Sequence, residues 1–350
     1  MGERSLEALL VSHPANCRYL SGFTGSPGTL LVTEGDAYLL TDFRYLEQAA
    51  IEAPVCRIER VGKRQGETLG RMARENGLER IAFEKDSLTF GGWERLKEAL
   101  PEVELVPTRG IVESLRAAKE PAEIEKIEHA VRVAEQAFLA ALEEIRPGLR
   151  KGVTEREAAW KIEQEMRRRG ATRPSFDLIA ASGPNSARPH ARPSDRRFQA
   201  GDLVVFDLGA VVDGYCSDLT RTAVVGRPDP RQEEIHDLVL RAQAEAFKGL
   251  RAGISGGQAD ALARRVIADA GKAEAFGHGL GHGVGLEVHE EPRLAEDVEE
   301  PLPAGCVVSV EPGVYLGGWG GVRIEDLVVL TEGGCRILGS LDRDLMVLDY

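Results

Sequence analysis

The chain has 350 residues, enough for two domains, and its 43% hydrophobic and 29% charged content is that of an ordinary globular protein. A net charge of −13 argues against a nucleic-acid or anionic-membrane partner, since each wants a basic face. No uninterrupted apolar run approaches the roughly 20 residues of a membrane span, and residues 1–10 have scattered charges and no signal-peptide pattern, so a cytoplasmic location is expected.

Residues 1–110 alternate strand-like and helix-like segments. Thr29–Thr33 and Ala37–Thr41 predict a hairpin around Glu34-Gly35-Asp36. Helices are expected over residues 42–53, ended by Pro54, over 68–76, closed by Gly77, and over 92–100, closed by Pro101. Residues 81–83 and 103–106 read as strands. The layout is α/β and its one histidine is His13, which with Asp42 and Arg44 is given a structural or surface role. The charged segment 109–122 ends with Pro121 placed for the first turn of a helix. It divides the chain into a domain over 1–115 and a domain over 116–350. Ile124, Ile127, Val131, Ala134, Phe138 and Leu142 then mark one face of a long amphipathic helix. Lys126, His129 and Arg132 fall on its other faces, where solvation explains them.

From here the chain repeats itself. Ile145-Arg146-Pro147-Gly148-Leu149 returns as Leu250-Arg251-Ala252-Gly253-Ile254. Each copy leads into a helix, 155–169 and 258–270, that ends at a glycine, and then to a related strand, 200–209 and 304–313. Asp207 falls 59 residues after Gly148 and Glu311 falls 58 after Gly253, so the two correspond. Each acid has a follower on a second strand, Asp218 and Glu325. A duplicated unit contributing two acids per half places four carboxylates around a pseudo-twofold axis.

Asp207 interrupts the apolar run Leu203-Val204-Val205-Phe206 and Leu208, where a bare carboxylate is expensive to desolvate. Asp213-Gly214, a strong hairpin dipeptide, lets two antiparallel strands bring Asp207 and Asp218 together. Like charges so close raise one pKa sharply unless a cation holds both ionised. Residues 276–290, FGHGLGHGVGLEVHE, add His278, His282 and His289 on backbone too glycine-rich for a regular helix. His190 stands in Pro189-His190-Ala191. Carboxylates with a borderline imidazole suit a divalent pair, Mn²⁺ or Co²⁺ first and Zn²⁺ tolerated, rather than a structural zinc, which wants thiolates. The five cysteines, Cys17, Cys56, Cys216, Cys306 and Cys335, are odd in number, far apart and form no C-x-x-C pair, so neither a disulfide framework nor a thiolate metal site is indicated. A divalent pair lowers the pKa of a bound water from 15.7 toward about 7, the chemistry of hydrolysis.

These motifs resemble those of the pita-bread metallopeptidases, in the Xaa-Pro branch of prolidase and aminopeptidase P. NCRYLSGFTGS (16–26) and TDFRYLEQA (41–49) are similar to that family's N-terminal domain. FDLGA, SDLTRT, GHGVGLEVHE, EPGVY and GVRIED are similar to its five metal-site motifs, in order. The resemblance implies an α/β N-terminal domain of creatinase/prolidase type followed by a duplicated α+β pita-bread catalytic domain. It implies metal ligation by Asp207, Asp218, His282, Glu311 and Glu325, with Asp218 and Glu311 bridging. His289 matches a substrate contact near the scissile bond, and His190 a group that assists proton transfer or steadies the intermediate. His278 and Arg323 match positions lining or backing the substrate pocket. Independently of the resemblance, a carboxylate beside the nucleophile, Glu311, can accept its proton and pass it to the leaving amine. The implied activity is hydrolysis of Xaa-Pro bonds in dipeptides, with aminopeptidase P action on longer peptides, or an inactive peptide-binding member of the fold, as alternatives. A homodimer is expected, with a proline-containing di- or oligopeptide as substrate and no nucleic-acid or membrane partner.

Overall fold

Four apolar residues in a row form the first strand, β1 (Ala8–Val11), and all four are buried. The computed structural model describes residues 6–349, and the chain divides into two compact units, one ending at Leu115 and one beginning at Arg116. In the first, β1 is followed by α1 (Pro14–Ser21), β2 (Thr29–Thr33), β3 (Ala37–Thr41), α2 (Leu46–Glu52), β4 (Arg57–Arg60), α3 (Gln65–Glu75), β5 (Arg80–Glu84), α4 (Phe90–Ala99) and β6 (Glu104–Thr108). The strands make one sheet in the order β4-β3-β2-β1-β5-β6. Successive strand residues face opposite sides. Ala8 and Leu10 accordingly pack with Leu69, Met72 and Leu96 of α3 and α4. Leu9 and Val11 pack with Cys17 and Ala49 of α1 and α2. A strand covered on both faces shows no polar alternation.

The expected hairpin is present, with Thr29 opposite Leu40 and Val32 opposite Ala37. The single helix expected over 42–53 is instead a 3₁₀ turn, Phe43–Tyr45, capped by Asp42 and continued by α2. α3 starts at Gln65 and α4 at Phe90, each ahead of the expected start. For α4 the cause is a cap, since Thr89 accepts from the Gly92 amide at 3.1 Å.

The boundary falls within a short helix, α5 (Ile111–Ala117). The second unit runs α6 (Pro121–Ile145), α7 (Glu155–Arg168), β7 (Arg173–Pro174), β8 (Ile179–Ser182), β9 (Leu203–Leu208), β10 (Ala210–Val212), β11 (Tyr215–Cys216) and β12 (Leu219–Val225). The order then recurs as α8 (Pro230–Gly249), α9 (Gly256–Asp269), β13 (Gly281–Gly283), β14 (Glu290–Leu294), β15 (Val307–Val310), β16 (Gly313–Leu316), β17 (Gly320–Arg323) and β18 (Asp326–Thr331), with β19 (Gly334–Ile337) and β20 (Met346–Leu348) closing the chain. Both α7 and α9 begin with a reciprocal cap, Thr154 with Glu157 and Ser255 with Gln258. The second unit's two larger sheets are ordered β20-β12-β9-β8 and β14-β13-β15-β18-β19, with two smaller ones, β11-β10-β7 and β16-β17. Phe138 and Ile162 of the first helix pair cover Val204, Phe206 and Leu208. Val239 and Ala263 of the second pair cover Val308, Val310 and Val328. Each of these buried side chains larger than alanine contributes roughly 1.5–3 kcal/mol. Lys126, His129 and Arg132 are exposed on α6, as expected. No helix among the described residues is long and apolar enough to cross a membrane.

Candidate metal centre

The alternation that turns Val204, Phe206 and Leu208 toward the helices turns Asp207 to the other face of β9. Thr220 of β12 lies directly across from Asp207, and Asp218 precedes it by two residues on the same side. The tip between these arms is a separate small hairpin, β10 with β11. Its turn residues Asp213 and Gly214 have φ of 50° and 84°, the left-handed pair that an Asp-Gly turn supplies. In the other half, β15 turns Val308 and Val310 inward and leaves Ser309 and Glu311 facing the site. β13 brings His282 alongside. Gly281 sits so close to β15 that a Cβ there would lie 2.0 Å from the Ser309 carbonyl oxygen, so only glycine permits this pairing. An isolated antiparallel bridge between Thr220 and Glu325 joins the two sheets at the acids, with the Glu325 amide donating to Thr220 O at 3.1 Å.

Asp218, His282 and Glu325 each offer a ligand atom, all within 4.8 Å of one another. His282 Nε2 lies 3.3 Å from Glu311 Oε1 and 3.8 Å from Asp218 Oδ2. His282 Nδ1 is 3.1 Å from the Gly283 carbonyl, which can only accept, so Nδ1 carries a proton; burial works against charge on the ring, but the hydrogen bond and charge of Glu311 beside Nε2 outweigh it and raise its pKa. Thr220 Oγ1 donates to Glu325 Oε2 at 2.7 Å, and Ser309 Oγ donates to Glu311 Oε1 at 3.1 Å. Arg323 is buried and fully engaged. It donates to Asp207 Oδ2 at 2.6 Å, Thr220 Oγ1 at 3.0 Å, Tyr315 Oη at 2.8 Å and Pro189 O at 3.4 Å. Tyr315 lies in turn 3.0 Å from His278 Nε2, while His278 Nδ1 lies 2.8 Å from Gly279 O. The ring of His289, an exposed residue, packs edge-on against His282 with centroids 4.2 Å apart. His190 is exposed and directly follows Pro189, whose carbonyl accepts from Arg323. All nine residues singled out in the sequence therefore gather in one place. Tyr315, Thr220 and Ser309 join them unanticipated, although the first two lie inside the motifs EPGVY and SDLTRT, where strand alternation turns them toward the acids.

Burial, reinforced by the charges of Glu325, Asp207 and Glu311, drives the Asp218 carboxyl well above the usual range. Burial and its acidic neighbours do the same to Glu325, and burial raises Asp207 against the pull of Arg323. Burial would also raise Glu311, but the hydrogen bond and charge of His282 outweigh it and hold Glu311 low. Burial lowers His289 and His278. Carboxylates packed this way hold protons unless a cation offsets their charge. Asp207 Oδ1 is buried with no hydrogen-bond donor, a position that suits a hard divalent cation. The thiols contribute nothing: all five cysteines are free, and burial pushes Cys216, two residues before Asp218, up to about 11. His13, Asp42 and Arg44 lie in the first unit, where Asp42 caps the 3₁₀ turn and pairs with Arg44 at 2.6 Å.

Residues 125–332 match metallopeptidase family M24, and residues 1–118 match the Creatinase/Prolidase N-terminal domain. An Xaa-Pro dipeptidase of Pyrococcus furiosus is 39% identical over 354 residues, covering 99% of this chain and 97% of its own. Among solved structures, the Xaa-Pro dipeptidase from Bacillus anthracis superposes with a TM-score of 0.95 at 40% identity, over 99% of this chain and 96% of that one. The X-Pro aminopeptidase from Thermotoga maritima superposes with a TM-score of 0.91 at 39% identity, over 99% of each chain.

Proposed function

The chain belongs to metallopeptidase family M24, with the pita-bread catalytic fold, and we propose that this hydrolase uses two divalent ions to cleave Xaa-Pro bonds, dipeptides above all. The observation that carries the metal reading is the orphaned Asp207 Oδ1 beside the convergent Asp218, His282 and Glu325. The dipeptide reading is supported by the full-length likeness to chains named Xaa-Pro dipeptidase. Likeness to an X-Pro aminopeptidase of comparable TM-score supports a second reading, action on longer peptides. Mn²⁺ or Co²⁺ suits the donors best, with Zn²⁺ tolerated.

Asp207, Asp218, His282, Glu311 and Glu325 would hold the two ions, with Asp218, His282 and Glu325 offering ligand atoms that converge. When bound, the pair polarises the scissile carbonyl and acidifies the attacking water. Glu311 accepts the proton released and delivers it to proline's secondary amine, which needs it to depart. Its side chain is 17% exposed against 6% for Asp218, so it faces the open side of the cluster. Such proton transfer contributes roughly 100- to 10,000-fold. His289 and His190 contact the substrate and steady the developing oxyanion. Arg323 holds Asp207 in place, and His278 supports Arg323 through Tyr315 while bordering the pocket. We place the enzyme in the cytoplasm as a homodimer, two-fold dimers being the commonest assemblies; light scattering that gives the mass of one chain contradicts the dimer. Rates on Gly-Pro-type dipeptides, Xaa-Pro-Xaa tripeptides and matched Xaa-Ala peptides, with Mn²⁺, test the substrate. Fastest turnover on Xaa-Pro dipeptides is expected, and equal rates on Xaa-Ala overturn the assignment.

A further inference from the structure

Glu155 is the first residue of α7 and is wholly buried, yet it touches none of the residues assigned to metal. An isolated buried carboxylate costs several kcal/mol, so its partners explain why it is there. Its Oε1 accepts from the Ser182 amide at 2.7 Å, the Ser182 hydroxyl at 2.8 Å and Asn185 Nδ2 at 3.0 Å. Its Oε2 accepts from the Ser194 amide at 3.0 Å and the Ser194 hydroxyl at 2.6 Å. One carboxylate thus ties together both ends of the irregular segment 182–194, and His190 stands inside it. Backbone bonds from Glu155 N to Arg196 O at 3.0 Å and from Arg156 N to Ser194 O at 3.1 Å fasten the same end to the start of α7. Two of the carboxylate's donors are main-chain amides, so the anion fixes the path of the backbone, which an apolar side chain of the same volume could not do.

The other half shows the same device reached from a different turn. Asp260, on α9 and wholly buried, accepts from the Leu280 amide at 2.9 Å. Its ion-pair partner Arg264 donates to Phe276 O at 2.9 Å and His278 O at 2.6 Å. In each half, then, the second helix carries a buried acid that holds the loop bearing a site histidine.

We propose that Glu155 is the positioning residue of His190: it closes the segment 182–194 so that the imidazole meets the substrate. This rests on the substrate role assigned to His190, and the test separates the two. Glu155→Ala, and Glu155→Gln, which keeps the volume but lacks the second carboxylate acceptor, are compared with His190→Ala and with each double variant. Hydrogen exchange is expected to quicken over 182–194 and not in the strands β9 and β15. Bound metal is expected to stay at the wild-type level. kcat is expected to fall on the order of 10²-fold with KM little changed, the cost of a misplaced group, and Glu155→Ala is expected to cost nothing further in a His190→Ala background. Unchanged exchange over 182–194, or losses that add in the double variant, overturns the proposal. Normal turnover in His190→Ala removes the role of His190 instead, and exchange over 182–194 then still decides whether Glu155 closes the loop.

Discussion

Thr220 serves three neighbours at once: it faces Asp207 across the strand pair, donates to Glu325 at 2.7 Å and accepts from Arg323 at 3.0 Å. Such hydroxyls leave no pattern in a sequence, which is why Thr220, Ser309 and Tyr315 escaped notice while the acids and histidines did not. A carboxylate inside an apolar strand advertises itself; a threonine in a strand is ordinary. Asp218 faces both His282 and Glu325, so Asp218→Ala should abolish turnover and lower bound metal, measured by elemental analysis; two retained ions with normal turnover would contradict its role. His289 packs against His282 but is not among the three residues whose ligand atoms converge, and His289→Ala should leave metal content intact while cutting turnover. Loss of metal from His289→Ala but not from His282→Ala would mean that the two histidines have been assigned in reverse.

At the scale of elements, Arg221 ties β12 to the second half. Its guanidinium donates to Asp326 Oδ1 at 2.8 Å, Glu325 O at 2.7 Å and Leu341 O at 2.8 Å, and the paired side chains of Arg221 and Asp326 are both 1% exposed. Arg221→Met leaves Asp326 buried with only part of its compensation, and breaking such a pair costs about 3–5 kcal/mol. Urea unfolding should register a loss of that order, and a change below about 1 kcal/mol would contradict it. Arg221 lies between Thr220 and Thr222 in SDLTRT but points the other way, a distinction that period two makes only once strand ends are known. The hairpin Thr29–Thr33/Ala37–Thr41 was legible because two short apolar runs flank the turn residues Glu34-Gly35-Asp36, even though its leucines are buried on both faces. β1 was not, because a short apolar run with no paired run across a turn does not distinguish strand from helix, and the starts of α3 and α4 were missed because caps and first turns set helix ends. The duplication was legible from its recurring glycines, and Thr154 and Ser255 each cap the second helix of their copy.

For the molecule as a whole, His236 links stability to pH. It is buried on α8 with Nε2 unpartnered, and burial lowers its pKa from 6.5, with Arg221 adding to the effect and Asp237 and Asp344 opposing it. The folded chain therefore binds fewer protons than the unfolded one at this residue. Its share of stability is intact above the unfolded pKa of about 6.5 and is lost as pH falls below it. Chelated His236→Gln should lose less stability than the chelated wild type between neutral and mildly acid pH; parallel curves would exclude the effect. Metal acts in the opposite sense, since ions that bind only the folded chain stabilise it by about 2.7 kcal/mol at 100 times their Kd. The direct measurement is a titration of the chelated chain with Mn²⁺, following bound ions per chain and Xaa-Pro dipeptide turnover in the same samples. A dinuclear peptidase predicts negligible turnover without metal and a rise that saturates as two ions bind. Full turnover in the chelated chain, or saturation with no ion bound, would contradict it.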